Sequence, residues 1–229
     1  PQKLKALIDA WFEEAERNLV LPLDDRTATQ LLAVERPSEE TPRDRYTYFP
    51  DTAPVPEGVA VSVRGRSYKI LADVEITDPD ASGVLFSMGT RFGGHSLFVK
   101  QKKLHYVYNF LGINPEQHFV SSVELKPGKY VLGMEFIREG AGPNHENVGR
   151  MKLYANDKVV AEGAMRTQLG KFGLGGSGLT VGYSNPDTVS QEYVSPARFD
   201  GGTIQFVEVA VDKAQYLDRE TELKRALRD

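Results

Sequence analysis

The sequence contains no cysteine among its 229 residues. This absence excludes disulfide bonds, thiol nucleophiles and zinc sites with cysteine ligands. Basic residues are not in excess either, because 28 Lys and Arg stand against 32 Asp and Glu, giving a net charge of -4. A dedicated nucleic-acid binder needs basic residues to neutralise phosphates, so the composition argues against that class. No run of 18 apolar residues predicts a membrane span, and no charged-then-apolar leader predicts secretion.

In length and composition the chain is typical of folded proteins, with 40% hydrophobic and 26% charged residues. A chain of this size buries roughly 70–75% of its unfolded surface on folding, so it needs no disulfide cross-links for stability. The chain begins at Pro1 rather than at methionine. We therefore expect it to be a fragment or a processed form of a longer protein.

The pattern of residues divides the chain into three predicted parts. Residues 1–58 read as a helix over 1–17, with an apolar stripe at three- and four-residue spacing, followed by a proline-rich connecting segment. Residues 59–211 alternate with period two, which is typical of strands. Residues 212–229 return to helix-forming residues and predict a helical tail.

Eleven candidate strands with turn residues between them predict an antiparallel sandwich or barrel, and no helices alternate with them as in a doubly wound sheet. The turns include Pro127-Gly128 and the tight hairpin at Asn156-Asp157. The candidate strands are 59–63, 67–76, 83–89, 95–100, 103–110, 118–125, 129–137, 149–156, 157–163, 178–183 and 203–211.

One strand, KLHYVYNF at 103–110, carries candidate ligand residues. Tyr106 and Tyr108 share a face of this strand, and Asn109 follows them. Aromatic rings and amides of this kind suit sugar stacking and hydroxyl recognition, whereas the same alternation also fits a plain sheet core.

Tests for catalytic motifs give no strong match. The run Gly175-Gly176-Ser177-Gly178 lacks the G-x-S-x-G spacing of a nucleophile elbow. No strand carries the paired carboxylates that a jelly-roll glycosidase needs. His145 and Glu146 lie in a polar cluster whose oxygens suit a hard cation or an interface, and a solvated hairpin tip explains the cluster equally well.

Residues 10–26 read AWFEEAERNLVLPLDDR, in which a predicted amphipathic helix is followed by V-L-P-L-D-D-R. This stretch resembles the segment that follows the catalytic domain in large bacterial arylsulfatases, members of the alkaline phosphatase-like superfamily. The resemblance covers about residues 1–211. Its other elements are the stretches 48–50, 67–76, 83–89, 97–109 and 199–204.

The resemblance implies a non-catalytic C-terminal domain that packs on the catalytic sulfatase domain of the same parent chain and shapes its substrate entrance. The parent would use formylglycine and a divalent metal such as calcium. This chain lacks the C/S-x-P-x-R motif, so we expect it to hold no catalytic, cofactor or metal residues. Asp24, Asp25 and Arg26, behind Pro22, are interpreted as turn residues at a domain boundary rather than as metal ligands.

The predicted fold class is mainly β, namely a two-sheet antiparallel jelly-roll sandwich of the concanavalin A-like type, with an N-terminal helix and a C-terminal helix. Two functional alternatives remain, a carbohydrate- or ligand-binding lectin-like module and a jelly-roll hydrolase. The apolar stripe on residues 1–17 also predicts homo-association of the isolated fragment.

Overall fold

The computed structural model describes residues 1–20, 43–168, 174 and 176–212. One helix and eleven strands lie within these ranges, and the helix and the strands belong to two different compact units. No helix in the described part of the chain is long and apolar enough to cross a membrane. The elements are α1 (Gln2–Arg17), β1 (Arg45–Tyr48), β2 (Tyr68–Ile76), β3 (Gly83–Thr90), β4 (Gly93–Lys100), β5 (Lys103–Asn109), β6 (Gln117–Val120), β7 (Gly128–Ala141), β8 (Asn147–Ala155), β9 (Lys158–Thr167), β10 (Leu179–Val181) and β11 (Gly202–Val211).

The helix α1 ends at Arg17, as the predicted helix over 1–17 does, and Asn18 caps it. The backbone N–H of Asn18 donates to the carbonyl of Glu14 at 3.0 Å, and the Asn18 Nδ2 donates to the same carbonyl at 2.8 Å. Both bonds satisfy a carbonyl that the last turn leaves free. The apolar stripe is exposed, from Trp11 at 45% to Leu4 at 64%. The predicted turn residues Asp24, Asp25 and Arg26, and all of the predicted tail beyond Asp212, lie outside the described residues.

The strands form two antiparallel sheets, which confirms the predicted sandwich. The six-stranded sheet has the order β1-β11-β2-β7-β8-β9, and the five-stranded sheet has the order β10-β3-β4-β5-β6. In β2 every second residue is buried and those between are half-buried. This alternation shows that one face of the six-stranded sheet lies on the core and the other faces outward.

Two local predictions were wrong. Residues 59–63 form no strand; Val61 instead donates its backbone N–H to the Tyr48 hydroxyl at 2.9 Å. Part of the predicted connecting segment is a strand, because β1 pairs with β11 at the edge of the six-stranded sheet. The four residues of β1 contain no proline, whereas Pro50 follows shortly after them. A short strand free of proline can keep its ladder bonds, which explains the exception.

The core lies between the two sheets and is filled by the inward residues of both. Its largest fully buried side chains are all less than 2% exposed. These are Tyr106, Phe86, Phe136, Ile70, Leu85, Leu97, Leu104, Leu132, Met134, Met151 and Leu153. Burial on this scale supplies the main favourable free energy of folding.

The outer face of the five-stranded sheet is covered by residues 184–198, here called the covering segment. Val84, Phe98 and Val107 form a second apolar cluster on this face, against which Tyr193 and Ala197 pack. The result is that β3, β4 and β5 are buried on both faces. In the described part of the chain, the outward side chains of β2 and β7 in the six-stranded sheet are by contrast half-buried or exposed.

Candidate ligand-binding site

The structure places Tyr106 and Tyr108 in the core, with 0% and 2% of their surface exposed. The Tyr106 hydroxyl lies 3.0 Å from the Tyr68 hydroxyl and 3.1 Å from the Nδ1 of His95. The Tyr108 hydroxyl accepts the backbone N–H of Gln168 at 3.1 Å. Burial raises the pKa of both tyrosines. Neither ring has a face available to an external ligand, so the core alternative holds for this strand.

The other three candidates lie in two further places. Asn109 is buried beneath the covering segment, where its Nδ2 donates to the Val189 carbonyl at 2.9 Å. His145 is exposed in the β7–β8 hairpin, and Glu146 is buried beside it and accepts the backbone N–H of Asn144 at 2.9 Å. The five predicted residues therefore do not converge on one site.

No group of three or more His, Asp or Glu side chains in the described ranges is arranged to hold a metal ion. The closest pair of histidines is His105 and His118, whose Nδ1 and Nε2 atoms lie 2.9 Å apart. His105 also bonds the Lys100 carbonyl through Nε2 at 3.0 Å. Burial, and then the neighbouring His118, lower the pKa of His105 to about 4.

This histidine pair lies against the covering segment. Glu192 of that segment accepts a bond from the Lys100 Nζ at 2.8 Å, and its other carboxylate oxygen lies 3.8 Å from the Nδ1 of His118. Glu116 accepts the Ser190 hydroxyl at 2.6 Å. These contacts hold the covering segment against β4, β5 and β6. The histidine pair and its neighbours therefore have a structural role.

An open depression, here called the outer groove, crosses the exposed face of the six-stranded sheet. Its first lobe has a volume of about 520 Å³ and its second about 340 Å³. Lys69 and Leu71 of β2 line both lobes. Volumes in this range are typical of small-molecule sites.

The floor of the first lobe follows from the strand register. Leu71, Gly133 and Tyr154 face one another across β2, β7 and β8. A Cβ on Gly133 would lie 2.4 Å from the Ile70 carbonyl oxygen and 2.6 Å from the Leu71 Cδ2. Because Gly133 has no side chain, the Leu71 side chain extends over β7 at this position. The sheet surface therefore has a depression between Leu71 and the Tyr154 ring.

A hydrogen-bonded chain connects the two lobes, because Tyr154 lines the first, Glu135 lines the second and Lys69 lines both. The Tyr154 hydroxyl donates to one oxygen of Glu135 at 2.9 Å, and the Lys69 Nζ lies 3.0 Å from the other oxygen. Although burial raises the pKa of Glu135, these two bonds hold it below its usual range. Burial and the bond to Glu135 raise the pKa of Tyr154 to about 12, so its hydroxyl stays protonated.

The β8–β9 hairpin forms the other rim of the first lobe. Asn156 adopts a left-handed conformation with φ of 54°, as a tight turn requires, which confirms the predicted hairpin. Its Oδ1 accepts the Val131 N–H at 2.8 Å. This bond turns the Asn156 amide so that Nδ2 remains a donor, next to the exposed Asp157 carboxylate.

The second lobe lies toward β11 and β1. Arg45 and Glu208 form an ion pair across these strands at 2.9 Å. Ser67, Ile137 and Asp212 also line this lobe. No motif in the sequence marks either lobe, because the lining residues come from strands far apart in the chain.

No family model matches this sequence, and no curated protein matches it significantly. Among solved structures, CBM40 of the Ruminococcus gnavus IT-sialidase, bound to α2,3-sialyllactose, matches with a TM-score of 0.50 and 14% identity over 80% of this chain and 97% of that one. At this identity the likeness shows the fold alone. The chain is thus an antiparallel jelly-roll sandwich.

Two further likenesses have lower TM-scores. The LG4-5 domains of the mouse laminin α1 chain match with a TM-score of 0.43 and 9% identity, over 76% of this chain and 42% of that one. The galectin LEC-6 of Caenorhabditis elegans matches with a TM-score of 0.39 and 13% identity, over 72% of this chain and 95% of that one.

Proposed function

We propose that this chain is a non-catalytic, carbohydrate-binding module of the lectin-like sandwich type. The observation that carries the proposal is the outer groove, which combines the Tyr154 ring, the Lys69–Glu135 pair and the Asn156-Asp157 rim on an open sheet face. The solved CBM40 with the same kind of fold was bound to a saccharide, which agrees with this use of the fold.

The groove suits the chemistry of a sugar. A pyranose ring has apolar C–H faces that pack against an aromatic ring such as Tyr154 and against aliphatic side chains such as Leu71 and Val131. Each hydroxyl of a sugar both donates and accepts hydrogen bonds. The exposed Asp157 carboxylate accepts, the Asn156 Nδ2 donates, and the Lys69 ammonium keeps further N–H donors beyond the one directed at Glu135.

The test is binding of neutral and acidic glycans on an array, followed by calorimetric titration of the hits. Replacing Tyr154 by alanine is expected to weaken binding by up to about tenfold, because a stacked aromatic contact contributes about 0.5–1.5 kcal/mol. Phe92→Ala is the control, because Phe92 is an exposed aromatic that lies in the β3–β4 hairpin of the other sheet. Equal affinities of the wild type, Tyr154→Ala and Phe92→Ala would contradict the proposal that sugars bind in the outer groove.

The arylsulfatase parent stays a prediction, since none of the comparisons links the chain to that family. A C/S-x-P-x-R motif in the sequence upstream of Pro1 would support it, and a different catalytic domain there would refute it. Homo-association through the exposed stripe of α1 also stays a prediction. Light scattering that shows only monomer at high concentration would count against it.

A further inference from the structure

The outer groove is longer than a single sugar needs. Its lining residues run from Arg45 on β1 to Tyr154 on β8, with β11, β2 and β7 between them. Four strand-to-strand spacings of about 4.8 Å give a length of roughly 19 Å. One pyranose ring fills only one lobe of such a groove, so a ligand that uses both lobes has at least two linked units.

Each cation that lines the groove in the described part of the chain forms an ion pair with a carboxylate. Lys69 is held by Glu135 at 3.0 Å, and Arg45 is held by Glu208 at 2.9 Å. The carboxylates of Asp157 and Asp212 add negative charge at opposite ends. An acidic sugar would have to compete with a bound carboxylate for either cation, and it would meet like charge at the rims.

One further cation lies near the groove. Lys152 of β8 acts electrostatically on Glu135, although it does not line either lobe. It faces Glu135 on one side and Glu162 on the other in the strand register. Lys152 therefore has a carboxylate on each neighbouring strand, and each cation that lines the groove in the described part of the chain is paired with a carboxylate.

From this geometry, and resting on the carbohydrate-binding function proposed above, we propose that the outer groove takes an uncharged oligosaccharide of at least two units, laid across both lobes. The first unit packs on Tyr154 in the first lobe. The next unit crosses Lys69 and Leu71 and lies beside Ile137 in the second. Selection is against acidic glycans, including sialylated and sulfated ones.

The experiment is calorimetric titration of the full chain with matched sugars. The probes are methyl glycosides of galactose, glucose, mannose and N-acetylglucosamine, their neutral disaccharides, and the same disaccharides carrying a sulfate or a carboxylate. The neutral disaccharide that binds is expected to do so about tenfold more tightly than both its methyl glycoside and its acidic form. A tighter acidic form, or an equally tight methyl glycoside, would overturn the inference while leaving carbohydrate binding intact. Failure of every sugar to bind would refute the proposed function itself.

Variants test the two lobes separately. Ile137→Trp obstructs the second lobe at a side chain that is 44% exposed, so the ratio of disaccharide to methyl glycoside affinity is expected to fall toward one. Glu135→Gln frees Lys69 and is expected to raise the affinity for the acidic disaccharide by about tenfold. Glu124→Gln is the matched control, since this exposed carboxylate between β6 and β7 lies outside both lobes. Equal effects of the two glutamate variants, or an unchanged ratio for Ile137→Trp, would contradict the proposal. Thermal melting confirms that each variant is folded.

Discussion

The buried histidine His95 predicts a specific sensitivity to acid. His95 is fully buried between the sheets and surrounded by Tyr68, Phe86 and Tyr106. Its Nδ1 contacts the Tyr106 hydroxyl, whereas its Nε2 has no hydrogen-bond partner in the described part of the chain. Burial lowers the pKa of His95 from 6.5 to about 3, because a protonated ring would carry an uncompensated charge in the core.

The sign and size of the effect follow from linkage. The pKa of His95 is lower in the folded chain than in the unfolded chain. The contribution of neutral His95 to the free energy of unfolding is therefore complete above pH 6.5, and it is lost as the pH falls toward 3. Between pH 6.5 and 5 the unfolded chain binds a proton at His95 that the folded chain does not. Each pH unit then removes about 1.4 kcal/mol, so His95 alone lowers the free energy of unfolding by about 2 kcal/mol between pH 7 and 5.

The assay is urea unfolding of the wild type and of His95→Gln at pH 7 and pH 5. Gln does not titrate, so the variant is expected to lose about 2 kcal/mol less than the wild type over this interval, whatever its stability at pH 7. His145→Gln is the matched control, because this histidine is exposed in the β7–β8 hairpin. An identical pH dependence in the wild type and in His95→Gln would refute the reasoning.

Three further substitutions test the packing that supports the groove and the covering segment. Gly133→Ala is expected to cost about 1–3 kcal/mol in urea unfolding, because its Cβ would meet the Ile70 carbonyl; no loss would contradict the close packing there. Tyr193→Phe removes the hydrogen bond to the Ser96 hydroxyl and is expected to lower the free energy of unfolding by about 1 kcal/mol. An unchanged urea midpoint would contradict this. Glu192→Gln breaks a half-exposed ion pair and is expected to cost less than about 1 kcal/mol, so a larger loss would show that this contact is more than a surface pair.

Strand alternation made much of the fold predictable. The residues of β2 and β5 alternate with period two, and the structure buries one set of each between the sheets. Alternation could not, however, show that both faces of β5 are covered. The second face carries His105 and Asn109, which are typical of a solvent-exposed face, and the covering segment that buries it is an irregular stretch some 80 residues away.

The candidate site could not be predicted in the same way. Lys69, Glu135 and Tyr154 come from three strands, and only the register of those strands places them together. Tyr106 and Tyr108 offered the more conspicuous pattern in the sequence, but alternate aromatics on a strand are also what a core requires. Gly133 was the one available signal, because a glycine inside an apolar strand indicates a close approach of another group.

The central claim is that a saccharide binds on the outer face of the six-stranded sheet. The most direct measurement is NMR titration of the labelled chain with the neutral disaccharide that binds most tightly, followed residue by residue. The account predicts that the amide signals of Leu71, Gly133 and Tyr154 shift on binding, and that those of Phe98 and Val107 on the covered face do not. Shifts confined to the five-stranded sheet and its covering segment would contradict it.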